Sequence, residues 1–234
     1  MWVSSERLRK RHRRWLAAHD LLDRPWYVLG SAPNPSIPKE FLDRAALICI
    51  NNAASAAKGL GLRPADLTFR NKSKEWKTLA GHKVPLMIWV CNRPSFLVQW
   101  KRLIISRDTE LGEIRVMRRA ERRLIGESML RAPGSTDEIG KPSTGIFAVL
   151  YGAFIGVPEI VIGGFSMDKK GYSYEADRMR MLHISEDRAA LETVAKRYPQ
   201  VSTTEASVAK ETGIPLYGCG GHDNETSIEG TAWG

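Results

Sequence analysis

Cysteine is scarce: the 234-residue chain has three, Cys49, Cys91 and Cys219. Cys49 and Cys91 lie inside apolar runs (ALICINN and LMIWVC). That suits buried thiols in a reducing compartment and excludes a disulfide framework as the basis of the fold. No apolar run approaches the ~18 residues of a membrane-crossing helix. The basic N-terminus is not followed by the apolar core of a secretion signal. We therefore expect a cytoplasmic protein. Also missing are the G-x-G-x-x-G dinucleotide fingerprint, the G-x-x-x-x-G-K-[ST] phosphate loop and any internal repeat. Acidic residues are in deficit, 26 against 35 Lys and Arg, for a formal net charge of +9.

What is present is ordinary for a globular enzyme: 43% hydrophobic residues, enough for a sizeable core, and 26% charged. The positive charge is concentrated in Arg7–Arg14 (RLRKRHRR) and Arg115–Arg131. Such clusters attract nucleic acid, anionic lipid or phosphorylated substrates without choosing among them, and solvated helix faces account for them equally well. Trp2, Leu8, Trp15, Leu16, Leu21 and Leu22 recur at helical spacing, so residues 1–24 read as a basic amphipathic N-terminal helix. It would lie on an anionic membrane surface or pack on its own domain, the second being favoured.

From Pro25 onward, short apolar runs alternate with helical stretches. Strands are expected at 26–29, 46–50, 66–69 and 84–90, with helices at 39–44 and over the alanine-rich stretch after Asn52, stopping near Gly59–Gly61. After a break the rhythm returns: a helix over 144–155, a strand over 159–165, a helix over 185–198 capped by Ser185, then 201–203, a helix from Glu205, and 214–217. This is the pattern of an α/β fold, a Rossmann-like, mostly parallel sheet flanked by helices, over 25–217. Residues 93–135 are long, basic and weakly patterned, and are expected to form an inserted basic helical lid. The tail 218–234 is glycine-rich and polar and is expected to be flexible. Its Cys219 and His222 are too few for a metal site.

Candidate chemistry gathers at strand ends. After the first strand, Gly30-Ser31-Ala32 opens a small-residue loop through Ser36 that would offer backbone N–H groups and a helix start to a phosphate, or would simply be a turn. Asn51, Asn71 and Asn92 each follow an apolar strand. In an open parallel sheet those tips line the ligand crevice, and a carboxamide both donates and accepts. Lys141-Pro142-Ser143-Thr144-Gly145 precedes a helix and would serve as an N-cap, an anion site or both. His183 precedes another helix and suits a general base. His12 and His19 belong to the basic arm, and His82 and His222 lack comparable company.

In this order, these pieces resemble the bacterial sialyltransferases of glycosyltransferase family 42. The likeness runs over residues 26–217. It rests on Lys141 to Phe147 followed by the small-residue helix, on Glu159 to Phe165, on the segment with Tyr172 and Tyr174, on His183, and on the Gly30-Ser31-Ala32-Pro33 turn. It implies transfer of an acidic sugar, sialic acid or a Kdo-like sugar, from a CMP-activated donor to a glycan hydroxyl, with no metal cofactor. Gly30, Ser31, Ala32, Asn51, Asn71, Ser143, Thr144, Gly145 and Gly164 would then line the donor site. Tyr174 would donate to the leaving phosphate and His183 would take the acceptor proton. The family's acidic residue and tyrosine after the glycine-bearing strand are Ser166 and Asp168 here, and Tyr172 would stand in for the missing tyrosine. The implied partners are the donor and a glycan or lipid-linked acceptor, with peripheral contact to the inner membrane face and a homo-oligomer admitted. The alternatives are a basic nucleic-acid-binding module, which lacks the interleaved aromatic pattern of RNA modules, and an inactive relative that kept the fold.

Overall fold

The computed structural model describes residues 4–71, 76–105, 110–132, 134, 140–166 and 184–218. Seven parallel strands form one sheet: β1 (Trp26–Leu29), β2 (Ala46–Ile50), β3 (Leu67–Asn71), β4 (Lys83–Val90), β5 (Glu110–Met117), β6 (Ile160–Gly163) and β7 (Val201–Thr203). Their order is β5-β4-β3-β2-β1-β6-β7, a Rossmann-like α/β fold. Successive strands step outward from β1 to β5, and the chain then crosses back to β6 on the other side of β1. The switch in direction lies between β1 and β6, where open α/β sheets place their ligand crevice, outside the carboxyl ends of the strands. Both faces of the sheet are covered, so β1, β2 and β6 are buried along their whole length and read as unbroken apolar runs.

On one face, Trp26, Val28, Ile48, Phe69, Ile88 and Ile162 pack beneath α1 (Ser5–Ala17), α5 (Arg119–Leu130), α6 (Thr144–Ile155), α7 (Ile184–Arg197) and α8 (Ala206–Thr212). On the other, Tyr27, Leu29, Leu47 and Cys49 meet α2 (Lys39–Arg44) and α3 (Ala53–Gly59), while Met87 and Trp89 meet α4 (Ser95–Ile105). Every residue of α6 is buried, as expected of a helix that is apolar all round. It ends at Gly156, whose φ of 82° supplies the left-handed C-cap. Cys49 and Cys91 are buried free thiols.

The N-terminal helix packs on its own domain. It covers Ser5–Ala17, shorter than the expected 1–24, and starts where the Ser4 hydroxyl accepts from the Arg7 N–H at 3.3 Å. Leu8, His12, Trp15 and Leu16 are its buried face. Part of the basic run is engaged within the fold. Arg13 donates to the Ile155 carbonyl at the C-terminus of α6, where a cation complements the helix dipole. Arg11 pairs with Glu121, and the Arg115 guanidinium lies 5.1 Å from the Trp15 ring.

His12 belongs to the core rather than to a solvated arm. Its Nδ1 is 2.8 Å from the Tyr151 hydroxyl, and its Nε2 is buried with no hydrogen-bond partner among the described residues. Burial, reinforced by Arg115 and Arg11, lowers its pKa from 6.5 to about 3. The folded state therefore holds it neutral, while the unfolded chain takes up a proton below its ordinary value. His12 costs no stability above that value, and stability falls as pH drops below it towards the folded value. At pH ~4.5 the loss from this residue is about 2–3 kcal/mol. Urea unfolding of the native chain and of His12→Asn across this range checks it: the difference in pH slope between them should disappear above the ordinary histidine range.

The described residues of 93–135 do not form an inserted helical lid. They continue the βα rhythm with α4, β5 and α5, and β5 pairs with β4 from Lys83↔Glu110 to Val90↔Met117 as the edge strand. The strand is hard to see in the sequence because its buried residues, Leu111, Ile114 and Met117, recur every third position instead of every second. Gly112 faces the Pro85 carbonyl, which leaves no room for a Cβ there. The expected cap at Ser185 also differs: α7 begins at Ile184, so Ser185 sits in its first turn and donates to Glu186 Oε2 at 2.9 Å. Most of the expected flexible tail, including Cys219 and His222, lies outside the described residues.

Candidate functional site

At the switch point the β1–β6 ladder runs past the strand ends. The Gly30 and Ala32 N–H groups donate to the carbonyls of Gly163 and Gly164, each at 2.8 Å. A Cβ at Gly30 would overlap the Gly164 carbonyl oxygen, with the carbonyl carbon at 2.9 Å and Phe165 Cδ2 at 3.1 Å. Gly164 has φ +68°, a left-handed turn that favours glycine. Two of the amides that the Gly30 loop would offer an anion are thus held in the ladder. Ser31, between them, carries a hydroxyl. The following helix, α2, begins only at Lys39 and has no side-chain cap.

A better-formed helix start faces the same region. Gly145, the second residue of α6, lies so close to Phe165 that a Cβ would be 2.7 Å from its ring. The buried Phe165 side chain therefore joins the β1 loop, the β6 turn and the N-terminus of α6. Ser143 caps α6, its hydroxyl accepting from the Ile146 N–H at 3.4 Å, and its own N–H donates to Asp187 Oδ1 at 2.6 Å. Thr144 is buried beside it. Arg122 fixes the preceding loop, donating to the Pro142 carbonyl at 2.6 Å with its guanidinium 4.9 Å from the Phe147 ring. Burial pulls the Arg122 pKa down and the Asp187 carboxylate opposes it. A helix N-terminus with hydroxyls at its first positions is suited to hold an anion.

The tips of β2 and β3 bring Asn51 and Asn71 together. Asn51 has φ +54°, a conformation asparagine tolerates better than most residues, and its Oδ1 accepts from the Asn71 N–H at 3.2 Å. Its carbonyl accepts from Arg70 Nη1 at 3.0 Å. Arg70 is fully buried and also donates to the Thr78 hydroxyl, which donates to Asn52 Oδ1 at 3.0 Å. Asn92 is engaged elsewhere, its Oδ1 accepting from the Arg119 N–H at 3.1 Å at the start of α5.

Sequence reasoning misses four residues of this region: Glu205, Asp187, Arg122 and Arg70. Glu205, buried just after β7, accepts with Oε1 from the Gly164 N–H at 2.8 Å and from the Ser36 N–H at 3.3 Å. The Tyr27 and Thr204 hydroxyls donate to the Ser36 carbonyl, each at 2.9 Å. Glu205 thereby ties the far end of the β1 loop to the β6 turn. Only the adjacency of β6 and β7 reveals this, and no local pattern encodes it. His183, Tyr172, Tyr174 and Asp168 lie outside the described residues. Ile184, which follows His183, opens α7, and the first turn of α7 is attached to α6 through Asp187 and Ser143.

No family model and no curated protein matches the chain. Solved structures do. The chain is similar to a tyrosine-to-phenylalanine variant of the sialyltransferase CST-II in complex with CMP, with a TM-score of 0.52 and 11% identity over 82% of this chain and 86% of the other. It is similar to the sialyltransferase CstII from Campylobacter jejuni in complex with the substrate analogue CMP-3FNeuAc, with a TM-score of 0.50 and 11% identity over 83% and 86% of the two chains. At this identity the likeness is one of fold: the chain has the Rossmann-like α/β architecture of these two structures.

Proposed function

We propose that this chain is a metal-independent glycosyltransferase that moves an acidic sugar, sialic acid or a Kdo-like sugar, from a CMP-activated donor to a glycan hydroxyl. The observation that carries it is the convergence at the switch point. The β1 loop, the β6 turn and the N-terminus of α6 meet at Phe165, in a fold similar to that of structures holding CMP and a CMP-sugar analogue. Ser31, Asn51 and Asn71 would contact the nucleotide. Ser143, Thr144 and Gly145 would receive its phosphate, with Gly30, Ala32 and Gly164 shaping the pocket floor. Transfer breaks the bond between the sugar's anomeric carbon and the phosphate oxygen, and the electron pair leaves with CMP. Hydroxyl donors from Tyr174 and Tyr172, together with the helix N-terminus, would stabilise that charge. The acceptor oxygen forms the new bond as its proton passes to His183. His183 is supported by its sequence match and by α7, which opens at the next residue and is bonded to Ser143 through Asp187.

CMP is expected to raise the melting temperature without added magnesium. At a hundredfold excess over Kd the gain is ~2.7 kcal/mol, or about 5–11 °C for a chain of this size. A thermal-shift panel of nucleotides and CMP-sugars with EDTA present tests this and ranks the donors. The arginine clusters motivate a second reading, a nucleic-acid-binding module. Tight, steeply salt-dependent binding of a random oligonucleotide with no response to any cytidine nucleotide would replace the first reading with that one.

A further inference from the structure

Helix α4 carries a stripe that the core does not use. Val98 is buried with Met87, Trp89 and Ile114. Gln99 Nε2 donates to the Ile114 carbonyl at 3.0 Å, and Arg102 Nε donates to the Leu111 carbonyl at 3.3 Å. These contacts fix the rotation of the helix and bind it to β5. Positions 96, 100 and 103, spaced i, i+4 and i+7, share the opposite face. Phe96 is 70% exposed, Trp100 66% and Leu103 68%, with Leu97 beside them at 43%. Two aromatics and a leucine in line on one exposed helix face are more than scattered surface apolar residues.

The amino-terminal end of the stripe is positive. No Asp or Glu occurs in α4. Arg93 precedes the helix, and Arg118 and Arg119 stand at the start of α5, joined to this corner by the bond from the Arg119 N–H to Asn92. All three are exposed, and none forms an ion pair among the described residues. Glu110, the first described acid after α4 in the sequence, pairs with Lys83 at 3.8 Å. The chain as a whole carries +9.

We infer that this face of α4 seats the protein on an anionic bilayer surface. Trp and Phe side chains partition to the headgroup boundary, and arginines beside them meet anionic lipid, each strengthening binding about fivefold. A second copy of the chain is the poorer occupant, because two positively charged copies would be brought together through arginine-flanked faces. Helix α4 leaves the carboxyl end of β4 and runs back towards the start of β5, so only the Phe96 end of the seat is on the side of the strand-end crevice. The inference stands apart from the proposed transferase activity.

The test uses the full chain and co-sedimentation with phosphatidylcholine vesicles with and without phosphatidylglycerol. The native chain should bind the anionic vesicles and lose them at high salt. Phe96→Ser/Trp100→Ser/Leu103→Ser should bind at least about tenfold less. It should melt at the native temperature, because the three side chains are exposed. Arg93→Gln/Arg119→Gln should lose the preference for anionic lipid. Equal binding by the triple variant, or no binding by the native chain, would overturn the inference. A native dimer that the triple variant dissociates, with no vesicle binding, would make the stripe an interface between copies instead.

Discussion

His183→Ala is expected to lower sugar transfer by about 10²–10⁴-fold while CMP continues to raise the melting temperature as in the unaltered protein. The proposal gives this imidazole one role, taking the proton of the acceptor hydroxyl as that oxygen attacks. The same proposal rests nucleotide binding on Ser31, Asn51, Asn71 and the start of α6, so binding should survive the change. A general base also leaves a pH signature. In the unaltered chain the rate should climb with pH as the imidazole gives up its proton and can act as a base. The residual rate of the variant should not follow that curve. Single-turnover assays with saturating CMP-sugar check both features. Native-like turnover by His183→Ala would remove the residue from the chemistry without touching the donor site, whereas loss of the CMP shift would point to a structural role.

Gly30→Ala is expected to destabilise the protein by about 3 kcal/mol, a fall of about 6–12 °C in melting temperature for a chain of this size. The added methyl would overlap the Gly164 carbonyl oxygen, and the backbone of the β6 turn cannot yield as the end of a flexible side chain would. The ladder bonds from Gly30 and Ala32 to Gly163 and Gly164 would open, and the CMP-induced shift should shrink with them. Gly126→Ala, inside α5, is the matched control. Nothing lies within 4 Å of a Cβ there, so the same substitution should add up to about 1 kcal/mol by favouring the helix. Urea unfolding of both variants measures the contrast. If Gly30→Ala were as stable as Gly126→Ala, the close approach of the β1 and β6 turns would be wrong, and the proposed crevice with it.

How far the site can be read from sequence depends on the range of each interaction. Ser143 announces itself as a cap by standing directly before a small-residue apolar helix, and it is one. Asn51 and Asn71 draw notice because each ends an apolar run, and the fold joins them by a hydrogen bond. Asn92 carries the same local signature, yet its carboxamide accepts from the first residue of α5. The pair is 27 positions apart, beyond the reach of any pattern in the intervening chain. His12 misleads for a related reason. Amid arginines it looks solvated, but the register of α1 turns it toward Tyr151, 139 positions away.

The sequence by itself determined the layered α/β plan. Strands covered on both faces must be nearly continuous apolar runs, and β1, β2, β4 and β6 have that form, with helix caps and breakers between them. It also set the candidate groups Ser31, Asn51 and Asn71 where those runs end. The tertiary structure alone decided that β5 is an edge strand rather than part of a lid, that β7 lies beside β6 and brings Glu205 to the β1 loop, and that Phe165 gathers three separate turns. The physical reason is one of distance along the chain. Burial and backbone preference act on each residue with its near neighbours and leave a periodic trace. Strand order and side-chain clasps form between segments many residues apart, and are settled only when the whole core packs.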